Sequence, residues 1–175
     1  MSILERLMSL VKRFGNLITY PFWIKDYRMW KKASDKNPIY NSDCKSLVFV
    51  YSDNEKKLLK KAKFIESTLT SYAYFDLLIV EGRYPGMIYQ DLNKNEGYKI
   101  SGDLYEVDGR TLWKLEQMHW DSEFYNRNTI AVDAKDDNGY LISCLVYLID
   151  HRREYLELKD DLEKVSLSDG IKKWE

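Results

Sequence analysis

Residues 46–150 alternate short runs of β-branched and aromatic side chains with turn signals, and this alternation restricts the possible folds most. The first run, Ser46 to Tyr51, reads Ser-Leu-Val-Phe-Val-Tyr, which is typical of a buried central strand. Asn138-Gly139 between β-type residues predicts a tight hairpin. Further strands are predicted within 64–81, which holds two of them, and at 98–107, 125–132 and 140–148.

Few helices are predicted among these strands. Residues 54–63 predict a helix, because their apolar side chains fall on one side. A second helix is expected from Thr111, as N-cap or first-turn residue, through Met118. The cluster Gly82 to Gly86 is typical of a turn. Residues 151–165 predict a charged helix, followed by a tail that ends at residue 175. The expected fold is α+β: a mixed-strand β-barrel with few helices over 46–150, with helical extensions at both ends.

The first 45 residues predict a helical extension and a polar connector. Apolar residues recur at helical spacing from Ile3 to Ile18, a second short helix is expected at 22–32, and 34–45 is polar. Basic residues outnumber acidic ones within 1–32. Residues 1–33 could therefore lie on a membrane surface, bind a partner or a second copy of the chain, or pack on their own domain.

Composition excludes several classes of site. The formal net charge of −1 gives no general attraction to nucleic acid. Cys44 and Cys144 are the only cysteines and His119 and His151 the only histidines, so we expect no metal site, no disulfide and no cofactor. No apolar run approaches the ~20 residues of a membrane-spanning helix. The charged N-terminus lacks the pattern of a signal peptide, and a cytoplasmic protein is expected.

Several strings in the 46–150 segment follow one another in a specific order: Val48–Tyr51 with Ser52-Asp53-Asn54, Tyr84–Ile88, Gly102–Val107, Leu115–His119, Tyr125–Arg127 and Val146-Tyr147. In this order and spacing they resemble the gamma-glutamylcyclotransferase-like family, which includes the plant avirulence-induced proteins. The resemblance covers Leu47 to Leu148 and implies a barrel with a small-molecule pocket at its mouth.

The family resemblance also implies a reaction. The α-amine of a γ-glutamyl group attacks its own side-chain carbonyl and releases 5-oxoproline and an amine, with a glutamate as base. In the family this glutamate closes a Leu-Asp-x-x-Glu string, and that position is His119 here. Either His119 or the nearby Glu116 is the candidate catalytic residue.

The substrate loop of the family reads Tyr-Gly-Thr-Leu, whereas this chain has Tyr51-Ser52-Asp53-Asn54. Ser52 hinders the close backbone approach that glycine permits. A carboxylate at Asp53 would repel an acidic substrate by about 4 kcal/mol at ~4 Å and an effective dielectric of ~20. The usual activity is therefore expected to be lost. Asp53 could instead be the N-cap of the following helix.

The resemblance assigns ligand-binding roles to the loop residues 51–54, to Tyr84, Tyr105 and Tyr125 as walls, and to Arg127 as anion partner. Structural alternatives remain open for these residues. The tyrosines could be buried strand residues with satisfied hydroxyls, Arg127 could pair with Glu106 or Asp103, and His119 could cap its helix.

Three functions fit these observations. The first is a relative that binds a small polar, anionic or nucleotide-like ligand without the usual chemistry. The second is an active cyclotransferase of altered specificity. The third is an interaction module, with a homo-oligomeric or membrane-surface contact through residues 1–33.

Overall fold

The computed structural model describes residues 26–80, 84–90, 97–120, 125–149, 158–159 and 165–174. Predictions for 1–25, and for the parts of 151–165 between these ranges, lie outside the described residues. A 3-10 helix at Pro38–Tyr40 follows the first helix. The elements are α1 (26–36), β1 (Lys45–Val50), α2 (Asp53–Lys56), β2 (Lys63–Leu69), β3 (Phe75–Val80), β4 (Tyr84–Tyr89), β5 (Lys99–Asp108), α3 (Gly109–Trp120), β6 (Tyr125–Lys135), β7 (Leu141–Ile149), β8 (Leu158–Lys159), β9 (Val165–Ser168) and β10 (Ile171–Trp174).

The main sheet is mixed and curls into a half-barrel. Its strand order is β6-β7-β1-β5-β10-β9, and β2 also pairs with β5. Strand β1 runs antiparallel to β5 and parallel to β7. A bridge between Thr70 and Val132 brings the end of β2 back to β6. Strands β4, β3 and β8 form a second, smaller sheet. The predicted α+β fold with a mixed, curved sheet and few helices is confirmed.

Strand β1 is buried on both faces, which explains its continuous apolar sequence. Phe49 packs inside the barrel with residues of β5, β6 and β7. Its neighbours Val48 and Val50 point to the opposite face, where Leu112 and Leu115 of α3 cover them. The period of two along a strand therefore divides the core into one cluster inside the barrel and one beneath α3.

The strands predicted at 46–51 and 98–107 are confirmed as β1 and β5, and the hairpin predicted at Asn138-Gly139 is confirmed as the turn between β6 and β7. The turn between β6 and β7 places Gly139 at φ +83°, a conformation that glycine adopts without strain. Asp136 closes this turn: its N–H donates to the carbonyl of Tyr140 at 2.9 Å, and its carboxylate accepts from the N–H of Tyr140 at 2.9 Å. Thr111 lies in the first turn of α3, and its N–H donates to the Asp108 carboxylate at 2.7 Å.

Two internal predictions are wrong. The helix expected at 54–63 ends at Lys56, and the chain continues in tight turns, such as the bond from the N–H of Ala62 to the carbonyl of Leu59 at 2.9 Å. Tyr84 to Gly86 lie in β4 instead of a turn. Because β4 is an edge strand, the missing N–H of Pro85 is tolerated there.

The C-terminal helix prediction is wrong wherever the structure describes this region. Lys159 pairs with Ile79 of β3, and β9 forms a hairpin with β10. Asp169 and Gly170 have positive φ angles of 52° and 74° at the turn of this hairpin. Asp-Gly is a hairpin signal, but the spacing of Leu158, Leu162 and Val165 is equally compatible with a helix.

The N-terminal segment packs against α3 within the described range. The indole N–H of Trp30 in α1 donates to the carbonyl of Tyr40 at 2.9 Å. The Arg110 guanidinium of α3 lies 5.3 Å from the centre of the Trp30 ring system. Helix α1 therefore contacts its own domain. Over the described residues, the structure has no helix with the length and apolarity required to cross a bilayer.

Candidate functional site

A cavity of about 300 Å³ opens where β1, β4, α2, the end of α3 and the start of β6 converge. Among the described residues, its lining includes five of the site residues predicted from sequence: Tyr51, Ser52, Asn54, His119 and Tyr125. It also includes three that sequence reasoning missed: Glu55, Pro85 and Met118. The loop after Tyr51 and the end of α3 thus meet at one cavity, as the family resemblance implies.

A buried pair of ionisable side chains lies at the centre of this lining. The Nε2 atom of His119 is 2.9 Å from Oε1 of Glu55, and the two residues are 6% and 2% exposed. The hydroxyl of Ser52 donates to the second carboxylate oxygen of Glu55 at 3.2 Å. A buried carboxylate needs such partners, because removing it from water without them is costly.

Aromatic rings fix the orientation of the His119 imidazole. It stacks on Tyr147 with ring centres 4.1 Å apart and an angle of 20°. The edge contact with Tyr125 has a centre distance of 4.6 Å and an angle of 64°. Because both rings restrict rotation of the imidazole, Nε2 is held toward Glu55.

The hydroxyl groups of the tyrosines that line the cavity have hydrogen-bond partners. Tyr51 donates to the carbonyl of Tyr147 at 3.1 Å and accepts from the N–H of Met87 at 3.2 Å. Burial, followed by the neighbouring Tyr125 and Glu55, raises the pKa of Tyr51 well above its usual value. Tyr125 donates to the carbonyl of Pro85 at 2.6 Å. These bonds join β1, β4, β6 and β7 around the cavity.

Asp53 is not the carboxylate that faces the cavity. Its side chain is 75% exposed and pairs with Lys56 at 3.5 Å. It is also not the N-cap of α2, because that position belongs to Ser52. The buried carboxylate is Glu55, and Ser52-Asp53-Asn54-Glu55 is a Ser-x-x-Glu pattern that could have indicated a Ser52–Glu55 contact.

Glu116 and Arg127 are joined to each other instead of lining the cavity. The Arg127 guanidinium donates to Glu116, and the hydroxyl of Tyr40 donates to the other oxygen of the same carboxylate. The predicted pairing of Arg127 with Glu106 or Asp103 is therefore wrong. Tyr105 packs its ring edge against Phe64 at 5.6 Å and is also absent from the described lining.

The described lining supplies one carboxylate, one imidazole and aromatic walls. No lysine or arginine occurs among the described residues that line the cavity. Within the described ranges, no group of three or more histidine, cysteine or acidic side chains is arranged to hold a metal ion.

The model of the family "Gamma-glutamyl cyclotransferase, AIG2-like" matches residues 48–168. The matched segment is more than half of the chain, and the protein belongs to this family. The match includes the cavity, the Glu55–His119 pair, the second half of β1 and the described strands β2 to β9. It excludes α1 and β10.

A solved structure shows the same fold. The chain is similar to a mouse AIG2-like protein, with 24% identity, a TM-score of 0.51, and coverage of 68% of this chain and 90% of that one. It is also similar to YkqA from Bacillus subtilis, with 26% identity and a TM-score of 0.45 over 61% of this chain. That match spans only 36% of the Bacillus protein. Comparison with curated protein sequences finds no match.

Proposed function

We propose that this protein binds a small polar molecule in the cavity and does not catalyse the release of 5-oxoproline. The observation that carries the proposal is the buried contact between His119 and Glu55, 2.9 Å long. It occupies the place where the family resemblance puts a glutamate base.

A cyclotransferase base must take a proton from the substrate ammonium and later deliver one to the leaving amine. In this chain, position 119 is an imidazole whose Nε2 is bonded to Glu55. The other oxygen of Glu55 is bonded to Ser52. Neither of these two groups matches a carboxylate presented to a substrate by α3.

A γ-glutamyl substrate carries an α-carboxylate beside its α-ammonium, and this carboxylate would enter a cavity that already contains the Glu55 carboxylate. Two such charges ~4 Å apart repel by about 4 kcal/mol at an effective dielectric of ~20. The described lining supplies no lysine or arginine to offset this repulsion. The repulsion expected from the Asp53 carboxylate therefore comes from Glu55 instead.

Ligand sites are typically cavities of roughly 300–1,000 Å³ with mostly apolar walls and a few placed polar groups. The cavity of about 300 Å³ lies at the lower end of this range. Its tyrosine hydroxyls are held by backbone bonds, so its shape is preorganised for a small molecule.

Equilibrium binding tests this proposal. Wild-type protein is screened against a panel of small polar metabolites by isothermal titration calorimetry, beside an Asn54→Phe variant that narrows the cavity from an exposed position. A Lys60→Phe variant places the same ring on an exposed residue outside the lining and is the matched control. We expect binding that Asn54→Phe abolishes and Lys60→Phe preserves. Binding unaffected by Asn54→Phe would place the ligand elsewhere.

One alternative function uses the contact between Glu55 and His119 for catalysis. A carboxylate that orients an imidazole is a common arrangement for proton transfer, so Glu55 and His119 could together replace the missing glutamate in a cyclotransferase of altered specificity. This alternative predicts that the protein forms 5-oxoproline and that the reaction requires both side chains. Loss of product in both His119→Ala and Glu55→Gln would favour this alternative over the binding function.

A further inference from the structure

Resting on the proposed function, we infer that Glu55 recognises the ligand and that the ligand carries a protonated amine on a small apolar or aromatic body. Within the described lining, Glu55 supplies the one carboxylate and no lysine or arginine is present. The arrangement therefore favours a cationic ligand over the anionic one first expected from Arg127.

The contacts of Arg127 with other residues of the protein keep it from binding an anion in the cavity. Its guanidinium is bonded to Glu116, which also accepts from Tyr40. Turning Arg127 toward an anion in the cavity would leave the Glu116 carboxylate, whose side chain is 13% exposed, without its cation. Such a loss is strongly unfavourable for a largely buried charge, so Arg127 stays with Glu116.

Glu55 retains acceptor capacity for a ligand. An ionised carboxylate offers about four lone-pair sites. The side-chain contacts of Glu55 within the described structure are one per oxygen, to His119 at 2.9 Å and to Ser52 at 3.2 Å. A ligand N–H group can therefore donate to either oxygen without displacing the protein partners, and these partners hold the carboxylate in one position before the ligand arrives.

The rest of the lining suits the body of such a ligand. Tyr51, Tyr125, Pro85 and Met118 provide rings and an adaptable thioether. Aromatic faces attract cationic nitrogen, most strongly where water is excluded. Ser52 and Asn54 are the neutral polar groups of the lining. An amine of a few carbon atoms, with or without a ring, fits both the charge and the volume of the site.

Isosteric probes of different charge test the inference. Benzylamine, benzyl alcohol and benzoate are titrated into wild-type protein at neutral pH, and backbone amide shifts are followed by ¹H–¹⁵N NMR. We expect benzylamine to bind at least tenfold more tightly than the other two and to shift amides around Ser52, Glu55 and His119. Benzoate binding as tightly as benzylamine would overturn the inference.

Two variants that each remove one carboxylate test which of them binds the amine. Glu55→Gln removes the cavity carboxylate, whereas Asp53→Asn removes the exposed one two residues away. We expect at least tenfold weaker benzylamine binding in the first and unchanged binding in the second. If Glu55→Gln fails to fold, the charge series on wild-type protein decides alone.

The outcomes separate the inference from the proposed function. Binding of the alcohol or benzoate in preference to benzylamine, abolished by Asn54→Phe, keeps the binding function and overturns the cationic ligand. Absence of binding by all three probes at millimolar concentration overturns the cationic ligand, whereas the metabolite panel decides the binding function.

Discussion

The imidazole of His119 and the carboxylate of Glu55 lie 2.9 Å apart, although 64 residues separate them in the sequence. The histidine lies in the last turn of α3 and the glutamate belongs to the short helix α2. The contact thus joins the two segments to which the family resemblance assigns the base and the substrate loop. The carboxylate at the cavity comes from α2.

The first prediction concerns the energy of this contact. Removing one partner of a buried pair leaves the other without compensation, so His119→Ala and Glu55→Gln should each lower the free energy of unfolding by about 2–4 kcal/mol. A double-mutant cycle by urea denaturation should give a coupling energy of about 1–3 kcal/mol. Asp53→Asn, at an exposed position, should change stability by less than ~0.5 kcal/mol. Additive effects would mean that the two side chains do not interact.

The second prediction contrasts two buried tyrosines. The hydroxyl of Tyr51 has a donor and an acceptor, whereas that of Tyr147 has no hydrogen-bond partner within the described structure. Tyr51→Phe should therefore cost about 1–3 kcal/mol, while Tyr147→Phe should be neutral or slightly stabilising. Urea denaturation of both variants at neutral pH provides the measurement. The opposite order would contradict the hydrogen bonding described here.

The third prediction is an alkaline loss of stability. Burial, followed by Tyr125 and Glu55, raises the pKa of Tyr51, and burial, followed by Glu116, raises that of Tyr147. The folded state therefore keeps these protons longer than the unfolded chain, whose tyrosines titrate near ~10. Their contribution is fully present below ~10 and decreases as pH rises further. Unfolding free energies from pH 8 to 11 should fall, and less steeply in Tyr147→Phe.

The fourth prediction concerns the two cysteines. Burial raises the pKa of Cys144 to about 12, and the thiol is the unreactive form. At pH 8 a maleimide should label the partly buried Cys44 and leave Cys144 unmodified until urea unfolds the chain. A Cys44→Ser variant should take up no label when folded and one when unfolded. Rapid labelling of that folded variant would contradict the buried position of Cys144.

The fifth prediction separates the Glu116–Arg127 pair from ligand binding. Since neither residue is in the described lining, Arg127→Met should lower stability by about 1–3 kcal/mol without changing the affinity of any ligand that Asn54→Phe blocks. Calorimetric titration of folded Arg127→Met is the measurement. A loss of affinity of tenfold or more would restore Arg127 as an anion-binding residue.

Much of the barrel is predictable from sequence because its strands carry local signals. The apolar run of β1, the length of β5 and the Asn138-Gly139 turn are all properties of neighbouring residues. The motifs that carry the family resemblance also predict that the loop after Tyr51 meets the end of α3, which the periodicity of the sequence does not indicate. Even Gly102, within one of these motifs, has a clear role: a Cβ there would lie 2.6 Å from Cζ of Phe49.

The remaining features depend on contacts between distant segments. Leu158 and Lys159 are extended because β3 provides their hydrogen bonds, and their helical spacing gives no indication of this partner. The partner of Arg127 was misassigned because Glu116 reaches it from α3 instead of a neighbouring strand. Glu55 was missed because its contact with His119 joins distant segments, and the local Ser-x-x-Glu pattern indicates only the contact with Ser52.

Formation of 5-oxoproline tests the central claim most directly. Purified full-length protein is incubated with γ-glutamyl dipeptides and γ-glutamyl amines, with an active member of the family as positive control, and the product is quantified by mass spectrometry. We predict no 5-oxoproline above the rate without enzyme. Product formed at an enzymatic rate by wild-type protein, and lost in both His119→Ala and Glu55→Gln, would contradict the account.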